Sequence, residues 1–229
     1  MKTQLKVYCG NGMSASLTVL IPLFEKEHQC QLQMLFNPAQ VVLRDMQAGQ
    51  MADMAILGST GIDQAVTLGF LEGQTRQALT RNGIGVGILA GSPKPDLSSV
   101  EAFKQMLTTA SSICYTTDGA SGIYFAQLIE KLGLKELVQA KAKTRSGGLI
   151  AELVVSGEAQ IAVQQVPEIL AVKGIDYAGP LPAEIQNIAT TTAALFKQTK
   201  MATLAQQFIH FLRSTEAKEV FKARGLDPV

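Results

Sequence analysis

The chain has 229 residues, of which 47% are apolar and 17% are charged, and its formal net charge is +1. This length and composition predict a globular protein with one large or two small buried cores. The near-zero net charge, without a block of Lys and Arg, excludes a general nucleic-acid or membrane-binding surface. Any anion-binding site must therefore be local.

The first third of the chain predicts three successive units, each made of a strand, a small polar turn and a helix. The predicted strands are Leu5 to Cys9, Gln31 to Phe36 and Met51 to Leu57. The predicted helices cover 14–27, 41–48 and a third segment that ends at Gly69. Apolar residues recur there at helical spacing, and Gly49 is typical of a left-handed residue that ends a helix.

The clearest unit of this kind is Ile113 to Leu134. An apolar strand, Ile113 to Tyr115, runs into the turn Thr116 to Gly122, which opens an amphipathic helix. The first N–H groups of a helix have no intrahelical partner, and the helix dipole places partial positive charge on them. Small residues in the turn let an anion approach these N–H groups, although Ser121 could equally be an ordinary helix cap.

The remaining segments continue the alternation of strands and helices. The predicted strands are Gly83 to Ala90, Lys141 to Thr144, Ile161 to Gln165 and Ala189 to Phe196. The predicted helices are 100–107, a segment from the Ser146-Gly147-Gly148 turn to Val155, 204–212 and 215–223, and Gly179 to Pro182 is a predicted turn. The GxGxG of the Gly83 segment lies inside a strand and precedes no helix, so it argues against a dinucleotide site.

This alternation predicts a mostly parallel sheet, whose ligands gather outside the carboxyl ends of the strands. Five helix-opening turns lie at those ends, and together they offer backbone donors to an anion without any Lys or Arg. We therefore predict that the ligand is bound by residues of these turns and by one strand end. The predicted ligand-binding residues are Asn11, Gly12, Met13, Asn37, Ser59, Thr60, Ser121, Gly122, Ser146, Gly147 and Gln165.

Several sequence motifs, and the order in which they occur along the whole chain, resemble the molybdate-binding proteins of ABC transporters. They are Met46-Gln47-Ala48-Gly49 followed by Ala52-Asp53-Met54-Ala55, the run SGIYFAQLIEKLGL, VVSGEAQIAV, and the ending FLRSTEAKEVFKARGL. The resemblance implies an α/β type II periplasmic binding-protein fold, with two α/β lobes, a central ligand cleft and two crossing hinge strands. Lobe one would comprise 1–83 plus 188–229, and lobe two 84–187.

The chain departs from this family at the residues that would contact a bare metal oxyanion. The two oxyanion-binding serines of the family fall at Gly12 and Ala39, and its molybdate-binding tyrosine falls at Gln165. A buried oxyanion loses roughly 1 to 3 kcal/mol for each missing donor. The Gln165 amide both donates and accepts, which suits a carboxylate or hydroxyl group. The strand end Gln164-Gln165 is typical of a divergent branch of the family that also includes aconitate isomerase.

Two functions remain open from the sequence. The first is a solute-binding protein that captures a small organic anion, a di- or tricarboxylate, for an ABC-type transporter, with molybdate, tungstate or another oxyanion as a further alternative. The second is a cofactor-free isomerase of an unsaturated carboxylate, in which Asp118 would be the base, ahead of Tyr115, Cys9 or Cys114. Arg145 could pair with a carboxylate, but the favoured expectation is a solvated arginine beside a loop.

The other expectations concern cofactors, partners and location. We expect no cofactor and no metal, because Cys9, Cys30 and Cys114 show neither CxxC nor Cys/His metal spacing. The expected partners are a small anion and the membrane subunits of an ABC transporter, with no nucleic acid, and the protein is expected to be a monomer. The start MKTQLKVYCG lacks the pattern of a secretion signal. We therefore expect a periplasmic protein whose signal is absent from this chain, or alternatively a cytoplasmic one.

Overall fold

The computed structural model describes residues 3–229. The first elements in chain order are β1 (Thr3–Cys9), α1 (Ser14–His28), β2 (Cys30–Phe36), α2 (Ala39–Gln47), β3 (Met54–Gly58), α3 (Ser59–Thr67), β4 (Gln77–Asn82), β5 (Ile84–Leu89) and α4 (Val100–Thr109). They are followed by β6 (Ile113–Thr116), α5 (Ala120–Lys131), α6 (Lys135–Gln139), β7 (Ala142–Arg145), α7 (Glu152–Val155), β8 (Ile161–Gln165), α8 (Val166–Leu170), β9 (Ile175–Pro180), β10 (Ala189–Leu195), α9 (Ala202–Leu212), α10 (Thr215–Lys222) and β11 (Asp227–Pro228). Single 3-10 turns lie at Asn11–Met13, Gly73–Thr75 and Ala183–Ile185.

The chain forms two compact units, each built around one sheet. Unit one contains the chain up to Arg81 and from Ala189 onwards, and unit two contains Asn82–Ile188. The chain therefore leaves unit one at the end of β4 and returns to it at the start of β10. The α/β class predicted from the sequence is confirmed.

Unit one is a six-stranded sheet in the order β11-β4-β10-β3-β1-β2, in which β1 pairs in parallel with both β2 and β3. Helices cover both faces because both faces of the strands are apolar. Leu17, Phe24 and Phe208 belong to the core cluster on one face, and Met46 and Ile62 belong to the cluster on the other. Such two-sided cover explains the nearly continuous apolar sequence of β3.

Unit two is a five-stranded sheet in the order β7-β6-β8-β5-β9. Strand β6 pairs in parallel with β7 and β8, whereas β5 is antiparallel to both β8 and β9. The glycines of β5 serve packing, because a Cβ on Gly85 would lie 2.5 Å from the Tyr177 ring and one on Gly87 would lie 3.1 Å from Ile169. Gly85 and Gly87 of the GxGxG motif therefore lie inside a strand, as predicted, and Gly83 directly precedes it.

The structure differs from the sequence-based expectations in four respects. The sheets are mixed, because β10 runs antiparallel to β3, and β5 runs antiparallel to β8 and β9. The segment predicted as a turn at Gly179 and Pro180 is the end of β9, an edge strand, where a proline removes no needed hydrogen bond. Strand β4 lies in a segment for which no element was predicted, and the helix predicted up to Val155 spans only Glu152–Val155.

Within residues 3–229, no helix is long and apolar enough to cross a membrane.

Candidate functional site

Three parallel strands of unit one end at the same edge of its sheet, and a helix or 3-10 turn follows each of them. Strands β1, β2 and β3 end at Cys9, Phe36 and Gly58, and Cys9 is in register with Phe36. The turns after β1 and β2 are tied to the sheet, because the Gly10 N–H donates to Ile56 O at 2.8 Å and the Asn37 N–H to Cys9 O at 3.0 Å. The edge formed by these strand ends is the unit-one edge.

The helices at the unit-one edge begin without side-chain caps. The residues before α2, α3 and the 3-10 turn are Pro38, Gly58 and Gly10, and none of them caps the first N–H groups. By contrast, α4 and α10 begin after Ser99 and Ser214, whose hydroxyls accept hydrogen bonds from their helices. Helix α9 is also uncapped, so a missing cap alone does not mark a site. It does leave backbone donors for a ligand.

The Ser59 side chain, one of the predicted ligand residues, is already bonded inside unit one. Its hydroxyl donates to the Thr190 carbonyl at 3.1 Å and lies 2.8 Å from the Thr192 hydroxyl. A serine has one proton to donate, so Ser59 ties α3 to β10 instead of offering that proton to an anion. The neighbouring Thr60 is exposed.

Of the remaining predicted residues of this edge, Met13 has its side chain in the core. It is 2% exposed, and its sulfur accepts the Thr80 hydroxyl at 3.8 Å. Any ligand contact from Met13 would therefore come from its backbone. Asn11, Gly12 and Asn37 are partly exposed.

Strands β6, β7 and β8 end together at the corresponding edge of unit two, the unit-two edge. Thr116 is in register with Arg145, and the turns that follow are bonded to each other. The Thr117 N–H donates to Arg145 O at 2.8 Å, and the Asp118 N–H donates to Ser146 O at 3.1 Å. The structure thus brings two of the predicted ligand-binding turns side by side, although Ser146 itself is exposed.

The start of helix α5 is packed closely against the end of β6. A Cβ on Gly122 would collide with the Thr116 carbonyl oxygen, and Ser121 is 3% exposed. Gly119, which precedes the helix, provides no side-chain cap. The SG sequence is therefore required for helix packing, and the helix start presents backbone N–H groups.

Gln165 ends β8 at the unit-two edge and is held by a neighbour. The Asn82 side-chain nitrogen donates to Gln165 Oε1 at 3.1 Å. Because this bond occupies the amide oxygen, the Gln165 Nε2 group points elsewhere, and within the described residues it has no hydrogen-bond partner. Gln165 is partly exposed, so this amide nitrogen is a side-chain donor available to a ligand.

The preceding residue, Gln164, is 1% exposed and is hydrogen-bonded to the Ser146-Gly147-Gly148 turn. Its Nε2 donates to Gly148 O at 2.8 Å, whereas its Oε1 is buried without a hydrogen-bond donor. Buried polar atoms almost always find partners. An unpaired acceptor at this position therefore marks the unit-two edge as incomplete in its hydrogen bonding.

Sequence reasoning missed Glu168, an acidic residue that follows these two glutamines in the chain. It lies in the first turn of α8, directly after β8. Burial raises the pKa of its carboxyl to about 7, while hydrogen bonds from the Gln164 side chain and the Gln165 backbone oppose that rise. Pro167 and Glu168 are typical of the first turn of a helix, which predicts where α8 begins but not that this carboxyl is buried.

Four residues that were proposed from the sequence as a base or as an anion partner are exposed, are paired with another side chain, or do not ionise near neutral pH. Asp118 is exposed, and its carboxylate accepts the Thr117 hydroxyl at 3.0 Å. Arg145 pairs with Glu152 at 3.5 Å, and both side chains are largely exposed. Burial raises the pKa of the Cys114 thiol to about 12 and raises that of Cys9 as well, so neither thiol ionises near neutral pH.

A cavity of about 350 Å³ in unit one lies away from all these residues, where β3 begins and β10 ends. Its polar centre is Asp53, whose carboxylate accepts the Lys6 N–H at 2.8 Å and the Thr199 hydroxyl at 2.7 Å. Asp53 therefore ties the β1 backbone to the segment after β10. In residues 3–229 no three His, Cys, Asp or Glu side chains are grouped so that they could hold a metal ion.

A family model and a relative of known name each match this chain over nearly its whole length. The family described as "Bacterial extracellular solute-binding protein" matches residues 5–227. An aconitate isomerase from Pseudomonas sp is 28% identical over 233 residues, covering 99% of this chain and 88% of that protein.

Solved structures show the same fold at low sequence identity. The Azotobacter vinelandii periplasmic molybdate-binding protein has a TM-score of 0.77 at 18% identity, over 97% of this chain and 98% of that one. PEB3 of Campylobacter jejuni, bound to L-phospholactate, has a TM-score of 0.70 at 15% identity, over 97% of this chain and 99% of that one. The type II periplasmic binding-protein fold is therefore shown.

Proposed function

Because the chain belongs to the bacterial extracellular solute-binding proteins, we propose that it binds a small organic anion, a di- or tricarboxylate, for delivery to an ABC-type transporter. The observation that carries this proposal is the Gln165 amide, held by Asn82 with its Nε2 group available. A side-chain amide at this position can donate to a carboxylate and can also pair with a hydroxyl group. The uncapped helix starts would supply the remaining donors.

The named relatives favour organic anions as strongly as metal oxyanions. One relative is named for aconitate, a tricarboxylate, and another is bound to L-phospholactate, which carries a carboxylate and a phosphate. The molybdate-binding relative supports a tetrahedral oxyanion as the alternative ligand. We favour the carboxylate because Gly12 and Ala39 provide no hydroxyl donors for a bare oxyanion.

Thermal unfolding across a panel of anions tests this proposal. The panel comprises cis-aconitate, trans-aconitate, citrate, L-phospholactate, molybdate, tungstate and sulfate. A ligand at 1,000 times its Kd adds about 4 kcal/mol of stability. In a protein of this size each kcal/mol raises the Tm by roughly 2 to 4 °C, so a true ligand raises it by on the order of 10 °C. A large shift with molybdate and none with the carboxylates would contradict the proposal.

A second candidate function, isomerisation of an unsaturated carboxylate, is supported by the aconitate isomerase relative. Such an enzyme must break a C–H bond, and the sequence-based candidate for the base is Asp118. Incubation of cis-aconitate with the protein in deuterated water separates the two functions, because an isomerase forms the trans isomer and exchanges a proton with solvent. Unchanged aconitate leaves the binding function standing. Turnover that Asp118→Asn abolishes would establish the enzyme and the role of Asp118.

If the protein delivers its ligand to a transporter, it must lie outside the cytoplasmic membrane. Its partners would then be the membrane subunits of that transporter. The family's extracellular members support this location. Fractionation of cells that express the gene in its native context would show whether the protein is outside the cytoplasmic membrane.

We expect the purified protein to be a monomer, and sedimentation measures its oligomeric state.

A further inference from the structure

The Gln186 side chain makes a pair of hydrogen bonds with the first residue of β5. Its Oε1 accepts the Ile84 N–H at 2.8 Å, and its Nε2 donates to the Ile84 carbonyl at 2.9 Å. A neighbouring strand makes such a pair of bonds with one residue in an antiparallel sheet. Strand β9 ends at Pro180, which is in register with Gly85, so its ladder stops short of Ile84. The Gln186 amide therefore takes the place of a strand at the start of β5.

The Gln186 amide is itself held by its surroundings. Gly83 lies against it, because a Cβ on Gly83 would be 3.0 Å from the side-chain amide carbon of Gln186. The residue before it is anchored to α5, since the Tyr124 hydroxyl donates to the Ile185 carbonyl at 2.9 Å. The amide thus joins the start of β5 to a segment that is bonded to the helix of the candidate site.

The segment bound by this amide also holds Gln165. Ile84 is in register with Gln165 in the pairing of β5 with β8. The Gly83 carbonyl accepts the N–H of Val166, the next residue after Gln165, at 3.0 Å. Asn82 donates its side-chain nitrogen to Gln165 Oε1 at 3.1 Å. Three consecutive residues therefore fix both the backbone and the side chain of the candidate ligand residue.

We propose that Gln186 is a positioning residue of the candidate ligand site. By holding Ile84 it keeps the Asn82 side chain bonded to Gln165 Oε1, and this bond leaves the Gln165 Nε2 group available to an anion. This inference rests on the proposed anion-binding function. An amide that is already oriented loses less side-chain freedom when a ligand binds, so its hydrogen bond contributes more to affinity. Loss of the Gln186 amide should therefore weaken binding although every donor to the ligand is still present.

Calorimetric titration tests the inference with cis-aconitate, or with the panel anion that gives the largest Tm shift if cis-aconitate does not bind. Gln186→Met removes both hydrogen bonds and keeps a side chain of similar length. Gln160→Met is the matched control, because Gln160 Oε1 also accepts a backbone N–H, that of Ser111 at 2.6 Å. Gln160 directly precedes β8, whereas Gln165 ends that strand. Urea unfolding of each variant measures the accompanying change in stability.

We expect the Kd of Gln186→Met to rise by roughly 3- to 10-fold and the Kd of Gln160→Met to stay at the wild-type value. The rise should depend on the Gln165 side chain. In a Gln165→Ala background, Gln186→Met should leave the Kd unchanged while it still lowers the free energy of unfolding. A residue that served folding alone would lower stability in both backgrounds without this coupling in the Kd.

Gly83→Ala is a second variant, which keeps Gln186 but displaces its amide, because the added Cβ would meet that amide at 3.0 Å. Its Kd should also rise, and it decides the test if Gln186→Met does not fold. An unchanged Kd in Gln186→Met, an equal rise in Gln160→Met, or an equal rise without the Gln165 side chain overturns the inference while the proposed function stands. Binding of no anion in the panel overturns both. If Gln165→Ala abolishes binding, the comparison of Gln186→Met with Gln160→Met decides.

Discussion

The side-chain nitrogen of Asn82 donates a hydrogen bond to Gln165 Oε1 at 3.1 Å. Asn82 is the first residue of unit two after the chain leaves unit one, and it is 3% exposed. Gln165 is the last residue of β8. The bond therefore joins the candidate ligand residue to the point where the chain enters the unit, and it fixes which end of the Gln165 amide is available to a ligand.

The first prediction concerns this pair. Asn82→Ala should weaken binding of the panel ligand by roughly 2- to 10-fold, because the Gln165 amide loses the bond that orients it. Calorimetric titration measures the change. Asn187→Ala, at an exposed asparagine, is the matched control and should leave binding unchanged. In a double-mutant cycle with Gln165→Ala the two effects should not add, and strict additivity would count against the contact.

The second prediction separates a glycine required for packing from one at which a side chain would meet open space. Gly122→Ala should lower the free energy of unfolding by about 3 kcal/mol or more, because its Cβ would overlap the Thr116 carbonyl, a backbone atom. Gly147→Ala should be nearly neutral in stability, since a Cβ there meets nothing within 4 Å. Urea unfolding measures both. If Gly122→Ala unfolds with the same free energy as the wild type, α5 does not pack on β6 as closely as the structure shows.

The third prediction concerns stability and pH. The pKa of Glu168 is raised from its ordinary value of 4.5 to about 7, chiefly by burial. The folded state therefore retains a proton that the unfolded state loses, and the resulting stability is present below pH 4.5 and lost as the pH rises through 7. The loss is on the order of 1 to 3 kcal/mol for one partly buried carboxyl. Glu168→Gln should lack this component when urea unfolding of both proteins is compared at pH 5 and pH 8.

The fourth prediction restores the hydroxyls that the chain lacks. Gly12→Ser combined with Ala39→Ser should increase molybdate affinity by about 10-fold or more, since each added donor contributes roughly 1 kcal/mol. Ala39 lies beside the first turn of α3, where its Cβ would be 3.1 Å from a Cβ on Gly61. Ala39→Ser alone, and Thr67→Ser at the far end of α3, serve as controls. Unchanged molybdate binding in the double variant would mean that missing hydroxyls do not set the ligand preference.

Much of the fold could be predicted because its signals are local. Helix α2 was found from its apolar spacing and from Gly49, whose φ of +84° is a left-handed conformation that favours glycine. Strand β8 was predicted with its observed bounds, since the apolar residues Ile161 to Val163 run directly into the polar pair Gln164-Gln165. Strand β4 was missed because its sequence, QALTRN, is mostly polar and forms a strand only through pairing with β10 and β11.

The helix-opening turns were likewise visible in the sequence, but their partners were not. Asp118 and Ser146 lie 28 residues apart, and only the pairing of β6 with β7 brings their backbones together. Glu168 could not be recognised as unusual from its neighbours along the chain, because its pKa depends on burial under other elements. Ser59 could not be excluded as a free donor, because its acceptor, Thr190, is on a distant strand.

The sequence by itself determined the alternation of strands and helices, the resemblance to molybdate-binding proteins and the small polar turns that leave helix N–H groups available. These depend on periodicity and backbone conformation, which act over a few residues. Only the tertiary structure decided which donors remain available, Gln165 Nε2 but not the Ser59 hydroxyl, and which carboxyl holds its proton near neutral pH. Hydrogen-bond partners and burial come from residues far apart in the chain, so no local pattern contains them.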